Sequence, residues 1–274
     1  MTTDTKTINA EANPELANRL VQEALNQSEQ VEEKRPSTKM APPPNPKINL
    51  MIGIMDPFTG TTIDSVEVRE LNGADEEALA RISDPGKSLM EILERATVKI
   101  GNEDATSSLL DQLYAADREL ILLEIRNKTF GSVIKLGPGA CPKCGEEQVF
   151  EVDLEQDVPL KKLESPLEFS MTCKAGEVVI SLPKGSAQKA IVASAAKTSA
   201  ELDTILLKHC IISINGRPVI TTDEVRNLSL KDRREILEQI SNRNPGPQLD
   251  KLTKECTSCN QEVKLPLTLA DIFQ

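Results

Sequence analysis

Two hydrophobic periods alternate along this chain, and the changes between them divide it. Ile48-Asn49-Leu50-Met51-Ile52-Gly53-Ile54-Met55 and Ser65-Val66-Glu67-Val68-Arg69-Glu70-Leu71 read as two strands around the turn Asp56-Pro57-Phe58-Thr59-Gly60. From residue 73 to 131 the spacing becomes helical. It predicts helices over 75–82, 87–100, 104–114 and 117–128, with breakers at Asp84-Pro85-Gly86 and Gly101-Asn102. The last of these starts acidic at Asp117 and ends basic at Arg126, matching the helix dipole. Its apolar residues Leu120, Ile121, Leu123 and Ile125 cover most of its circumference, which marks it as the central helix of a helical subdomain. A strand over 132–136 follows.

Later in the chain, residues 167–172 and 177–182 alternate across Lys174-Ala175-Gly176 and predict a hairpin. Helices over 186–195 and 200–210 come next, then an Asn215-Gly216 hairpin within 211–220 and a short helical turn from Thr222. Ser229 as N-cap, with Asp232 at the third helical position, opens a helix that ends near Arg243, where Asn244-Pro245-Gly246-Pro247 stops it. Ahead of all this, residues 1–47 are polar and end in a proline run. They predict a disordered arm with a stiff linker and a short amphipathic helix over 13–25. That helix is either transient or a docking element for another subunit.

The cysteines change the picture most. Cys141-Pro142-Lys143-Cys144-Gly145 and Cys256-Thr257-Ser258-Cys259-Asn260 are both Cys-x-x-Cys turns followed by a residue that tolerates positive φ, then by an alternating run. Each is half of a tetrahedral zinc site, so Cys141, Cys144, Cys256 and Cys259 are expected to bind one structural Zn²⁺ with no open position. The metal would close an α/β insertion over 145–255. The gap between the two turns is far longer than is usual for such a site. Two separately packed thiol pairs, or two redox-active pairs, are the competing readings. A redox pair of the thioredoxin kind would precede a helix, whereas strands are read after both turns.

The expected fold class is therefore α+β. A strand pair and helical subdomain (48–140) would be joined to a small β-rich, zinc-ribbon-like domain (141–274) by the four-cysteine knuckle pair, behind the arm 1–47.

Composition narrows the function. The 274 residues carry a net charge of −11, with a sequence pI of about 4.8. A zinc-ribbon nucleic-acid-binding factor would need a basic face, which this balance disfavours. One Tyr, five Phe and no Trp leave few stacking platforms for single strands. No apolar run of membrane-spanning length and no export leader is read, and the cysteine usage fits a reducing compartment. No small-molecule substrate is expected.

A catalytic set is not visible. The one histidine, His209, adjoins Cys210 on a helix, where neighbouring positions point apart. Cys173 reads as a small turn or core residue. Asp75-Glu76-Glu77 reads as a solvated first helical turn rather than a catalytic pair. Leu182-Pro183-Lys184-Gly185-Ser186 lacks the leading glycine and spacing of a phosphate loop.

Val68-Arg69-Glu70-Leu71-Asn72-Gly73-Ala74-Asp75-Glu76-Glu77 and the block from Asp117-Arg118-Glu119-Leu120 to Thr129-Phe130-Gly131, followed by the first thiol turn, resemble the T4-type bacteriophage baseplate hub family. The closing Cys256-Thr257-Ser258-Cys259 agrees. The resemblance spans residues 65–274, most closely 65–155. It implies a non-enzymatic protein of a contractile-tail baseplate, whose partners are other baseplate or tail proteins. It would act in the host cytoplasm during assembly, with the virion baseplate as its destination. A tail-assembly chaperone absent from the finished virion stays open beside it.

Overall fold

Strand β1 (Lys47–Met55) follows the apolar run read from the sequence, but it is not regular. It pairs antiparallel with β2 (Thr62–Val68) at Asn49↔Ser65 and again at Ile54↔Ile63, so residues 50–53 stand opposite Asp64 alone. Gly53 carries this bulge with a φ of 76°, and a Cβ there would lie 2.4 Å from the Ile63 carbonyl oxygen. A bulge leaves N–H groups without ladder partners. Here the carboxylate of Asp117 collects three of them. Its Oδ1 accepts from Met51 (2.7 Å) and Ile52 (3.1 Å), and its Oδ2 from Gly53 (2.8 Å).

The computed structural model describes residues 47–56, 60–164 and 166–273, within a compact unit spanning Asn45–Gln274. The expected helix over 13–25 and the proline run lie outside the described residues. Lys47, expected in the arm, already opens β1.

Mixed helix and sheet is the outcome, but the segment 73–131 is not helical throughout. Helix α1 (Gly73–Leu79) is capped by Asn72, and α2 (Pro85–Ala96) by Asp84 with Pro85 in its first turn. The helix expected over 87–100 stops at Ala96. Thr97–Ile100 is instead strand β3, paired with β2 at Val66↔Ile100 and Glu67↔Lys99. Three of its four residues are β-branched, and the exposed edge of β2 gives them ladder partners that a helix would not. Glu103–Asp104 forms β4 beside it, giving the order β1-β2-β3-β4. The helix expected from 104 therefore begins only at Ser107, capped by Thr106, as α3 (Ser107–Gln112).

Helix α4 (Ala115–Phe130) is the central one, as its sequence indicates. Its Ile121, Leu122 and Ile125 pack into a first core with Val66, Val68, Leu93 and Ile100. Its Leu123 enters another core with Ile134, Val152, Leu252 and Ile272. It also carries buried polar ties. Arg118 donates from Nε to Gln188 Oε1 (2.7 Å) and from Nη1 to the Leu110 carbonyl (2.8 Å). Arg126 donates from Nε to the Ile272 carbonyl (3.0 Å) and from Nη1 to that of Gly131. The C-terminal 3₁₀ turn Asp271–Phe273 is thereby held to α4.

The chain continues through β5 (Val133–Ala140), β6 (Glu147–Asp153) and β7 (Leu160–Lys161). The expected hairpin forms as β8 (Glu168–Cys173) and β9 (Gly176–Ser181), followed by α5 (Gly185–Ala193) and α6 (Ser199–Cys210). Asn215 and Gly216, with φ of 50° and 74°, turn β10 (Ile211–Ile214) into β11 (Arg217–Pro218). These four strands form a second sheet, ordered β11-β10-β9-β8. Helices α7 (Thr222–Arg226) and α8 (Leu230–Arg243) cover its core of Val178, Ile180, Leu207, Val225 and Ile236. Strand β12 (Gly246–Pro247), which pairs with β7, was not foreseen. The last hairpin is β13 (Thr253–Glu255) and β14 (Glu262–Lys264).

One cap differs from its reading. Ser229 does cap α8, accepting from the Asp232 N–H. Asp232 does not return the bond. Its buried carboxylate accepts from the Lys174 and Ala175 N–H groups at the β8–β9 turn, 3.1 and 3.2 Å away. A long-range demand there outcompetes the local capping box.

Asp117 provides the test of this architecture. In Asp117→Asn an amide NH₂ must face a backbone donor, which should lower stability by about 1–3 kcal/mol, and Asp117→Ala should cost more because buried N–H groups lose their acceptor. Urea unfolding, read from the midpoint at unchanged slope, checks the order. Equal stability in wild type and Asp117→Ala would contradict the clasp.

Candidate metal centre

Both thiol turns sit at hairpin tips. In the β5–β6 tip, the Cys141 N–H donates to Glu146 O (2.9 Å) and the Gly145 N–H to Cys141 O (2.9 Å). In the β13–β14 tip, the Cys256 N–H donates to Gln261 O (2.8 Å) and the Asn260 N–H to Cys256 O (2.9 Å). Gly145 and Asn260, the residues after each second thiol, both adopt positive φ, 75° and 54°. The two knuckles therefore repeat one another bond for bond. The positive φ turns backbone N–H groups toward the sulfurs.

The fold brings the two tips together. The Sγ atoms of Cys141, Cys144, Cys256 and Cys259 all lie within 4.8 Å of one another. Across the knuckles, Cys141 and Cys259 are 3.8 Å apart and Cys144 and Cys256 3.7 Å. A tetrahedral thiolate site with metal–sulfur bonds of about 2.3 Å has edges of about 3.8 Å, so the spacing fits an ion at the centre. It is far longer than a disulfide bond of about 2.05 Å, and all six cysteines are free thiols. Four cysteines so placed can hold a metal ion.

The electrostatics follow from crowding. N–H groups of Cys144 and Lys143 hold the Cys141 thiol down to about 6. Those of Cys259 and Ser258 lower Cys256. The Glu146 N–H pulls Cys144 down too, but burial and the neighbouring sulfurs of Cys259, Cys141 and Cys256 push it up to about 12. Four thiolates cannot share this volume without a compensating cation. A lowered Cys141 is common to a redox pair and to a metal thiolate. What separates them is the convergence of all four sulfurs and the strands, β6 and β14, that follow both turns.

Little else supports the tips. Their core is Cys141, Phe150, Cys256 and Val263, with Leu136, Cys259 and Leu265 beside it. So few apolar side chains do not stabilise a fold unaided. A direct polar bridge crosses between the halves: Gln148 Oε1, on β6, accepts from the Thr257 N–H (3.1 Å) and Oγ1 (2.6 Å). No sequence signal marked this pair. Gln148 stood as one residue of an alternating strand, and Thr257 as a spacer between thiols.

The other candidates fall elsewhere. His209 is exposed at the end of α6, and burial pushes the neighbouring Cys210 thiol up to about 12. Cys173 packs at the rim of the second core. Gly185, from the rejected phosphate loop, opens α5 against Arg118. A Cβ there would lie 2.5 Å from the Leu110 carbonyl oxygen. Asp75 corrects its reading as a solvated acid. It is only 2 % exposed and paired with Arg69 (2.6 Å) and Arg95 (3.6 Å). The signal was Arg69 six residues earlier, but only the β2-to-α1 corner brings the two together. An apolar groove of about 580 Å³ lies between Leu71, Leu79, Ile92, Phe130 and Phe273, and none of the thiols line it. Among the described residues no helix is long and apolar enough to cross a membrane.

What these features define is an α+β chain in which two hairpins, distant in sequence, close on one four-thiol centre. The chain belongs to the T4 bacteriophage base plate protein family, whose model matches residues 57–274. That span contains all four thiols and the whole of α4, while β1 precedes it. No curated protein and no solved structure matches the chain.

The Asp75 cluster carries a pH prediction. The hydrogen bond from Arg69 holds the folded carboxyl down to about 2, against an ordinary value of 3.8. The folded value is the lower one, so the stabilisation is full above pH 4 or so and is lost as pH falls toward 2. The stability gap between wild type and Asp75→Asn should therefore narrow over that window in urea unfolding series. A gap independent of pH would show that the charge of Asp75 contributes nothing.

Proposed function

We propose that this protein is a structural component of a contractile-tail baseplate, placed at its hub, and that it acts by scaffolding other tail proteins rather than by catalysis. The observation that carries the proposal is the family match over residues 57–274. The site is consistent with it. Four thiolates around one ion leave no open coordination position for a substrate, so the centre is a structural one. We assign Zn²⁺ to it, held by Cys141, Cys144, Cys256 and Cys259, because an all-thiolate tetrahedral set suits that ion.

In this reading the metal shapes the scaffold. It joins the β5–β6 tip to the β13–β14 tip and so closes the insertion 145–255, which carries the second sheet and its core. Assembly would take place in the host cytoplasm, and the finished protein would reside in the virion baseplate. Mass spectrometry of purified particles tests that placement. The chain should be present in stoichiometric amount, and its absence from complete particles would favour a tail-assembly chaperone instead.

The metal assignment has its own test. Protein purified without added zinc should carry about one zinc per chain by elemental analysis. Cys256→Ser, or a strong chelator, should lower the melting temperature. By analogy with a cross-link closing a loop of this length, the stabilisation lost is on the order of 4–5 kcal/mol. Hydrogen exchange should show protection falling first in the two hairpins and the insertion, and least in α4. A metal-free protein with unchanged melting would overturn the assignment.

A further inference from the structure

We propose that Gln148 is a positioning residue of the four-thiol centre, locking the second knuckle as Pro142 locks the first. The inference rests on the zinc reading above.

The two knuckles match residue for residue in their thiols, their positive-φ residues and their backbone bonds. They differ at the position after the first thiol. The first knuckle has Pro142, whose ring fixes φ and which has no N–H to satisfy. The second has Thr257, with a free φ and two donors. Gln148 takes up both of those donors through one oxygen, at 3.1 Å from the Thr257 nitrogen and 2.6 Å from its Oγ1. The residue that lacks an internal restraint is thus the one restrained from the opposite half, 109 positions away in sequence.

The amide has one orientation. A backbone N–H only donates, so the carbonyl oxygen must face Thr257, and Nε2 turns inward, where it is buried with no partner among the described residues. A buried, unpaired amide donor is destabilising. The corresponding position in the second half, seven residues after its first thiol, holds Val263, which is 6 % exposed and costs nothing of the kind. Packing alone would thus favour an apolar residue at 148, and the Thr257 contact is what a glutamine supplies in return. Thr257 lies between Cys256 and Cys259, so fixing it fixes how both sulfurs aim at the ion.

The test uses the full zinc-loaded chain, with zinc loss to a chromophoric chelator as one readout and the absorption of the cobalt(II)-substituted protein as the other. Gln148→Ala should release zinc faster by on the order of tenfold and shift the cobalt bands. Thr257→Pro should keep slow release and unshifted cobalt bands, because its ring supplies the restraint, but should melt lower, because the Gln148 amide loses both donors. In the double variant Gln148→Ala/Thr257→Pro, the proline should restore slow release, because the second knuckle would then carry the same restraint as the first. Should Thr257→Pro not fold, the cobalt bands of Gln148→Ala decide: a lower melting temperature with unshifted bands would mark Gln148 as packing only. Release from Gln148→Ala at the wild-type rate, or a folded double variant that still releases fast, would overturn the positioning role. A wild type that takes up neither zinc nor cobalt would overturn the zinc reading instead.

Discussion

The carboxylate of Asp117 and the three N–H groups it holds are the contact on which the first half of the molecule depends. The bulge at residues 50–53 could not be buried with its donors unpaired, and α4 could not lie across β1 unless something on its first turn met them. Burial pushes the Asp117 carboxyl up, against the pull of the Gly53, Ile52 and Met51 N–H groups. The same residue therefore satisfies a strand and starts a helix. Its neighbour Arg118 then ties α4 to α3 and α5, and Arg126, two turns on, ties it to the chain end. Both arginines donate to carbonyl and amide oxygens, which fixes the position of α4.

The four-thiol centre solves a different problem. The hairpins β5–β6, with six paired positions, and β13–β14, with three, share a small apolar core. Two-stranded hairpins of this size are marginal alone. Beyond the Gln148–Thr257 bridge, four convergent sulfurs join the tips and can do so by holding one ion. The centre and α4 are connected through the third core, where Leu123 of the helix meets Ile134 and Val152 of the first hairpin and Leu252 at the start of the second. This continuity gives the two hairpins a packed support.

Much of this was legible in the sequence because it is local. The Asn215-Gly216 turn, the break at Asp84-Pro85-Gly86, the cap at Ser229, the apolar circumference of α4 and the positive-φ residues after each Cys-x-x-Cys all depend on residues within a few positions of one another. The thiol spacing pointed to a shared site because tetrahedral coordination by cysteine needs two such turns, wherever they lie in the chain.

Tertiary structure alone decided the rest. Thr97–Ile100 could extend a helix or form a strand, and the free edge of β2 chose the strand. Asp75, Asp117 and Asp232 all stand in first helical turns, where an acid suits the dipole in any fold. Only packing turned them inward, to Arg69, to the bulge of β1 and to the β8–β9 turn. The pairing of Gln148 with Thr257 had no trace in the sequence, since it joins residues whose proximity the folded insertion creates. Sequence determines which short segments turn, coil or extend. A carboxylate or an amide takes whichever donors the assembled chain leaves unpaired, and those are set only when distant segments meet.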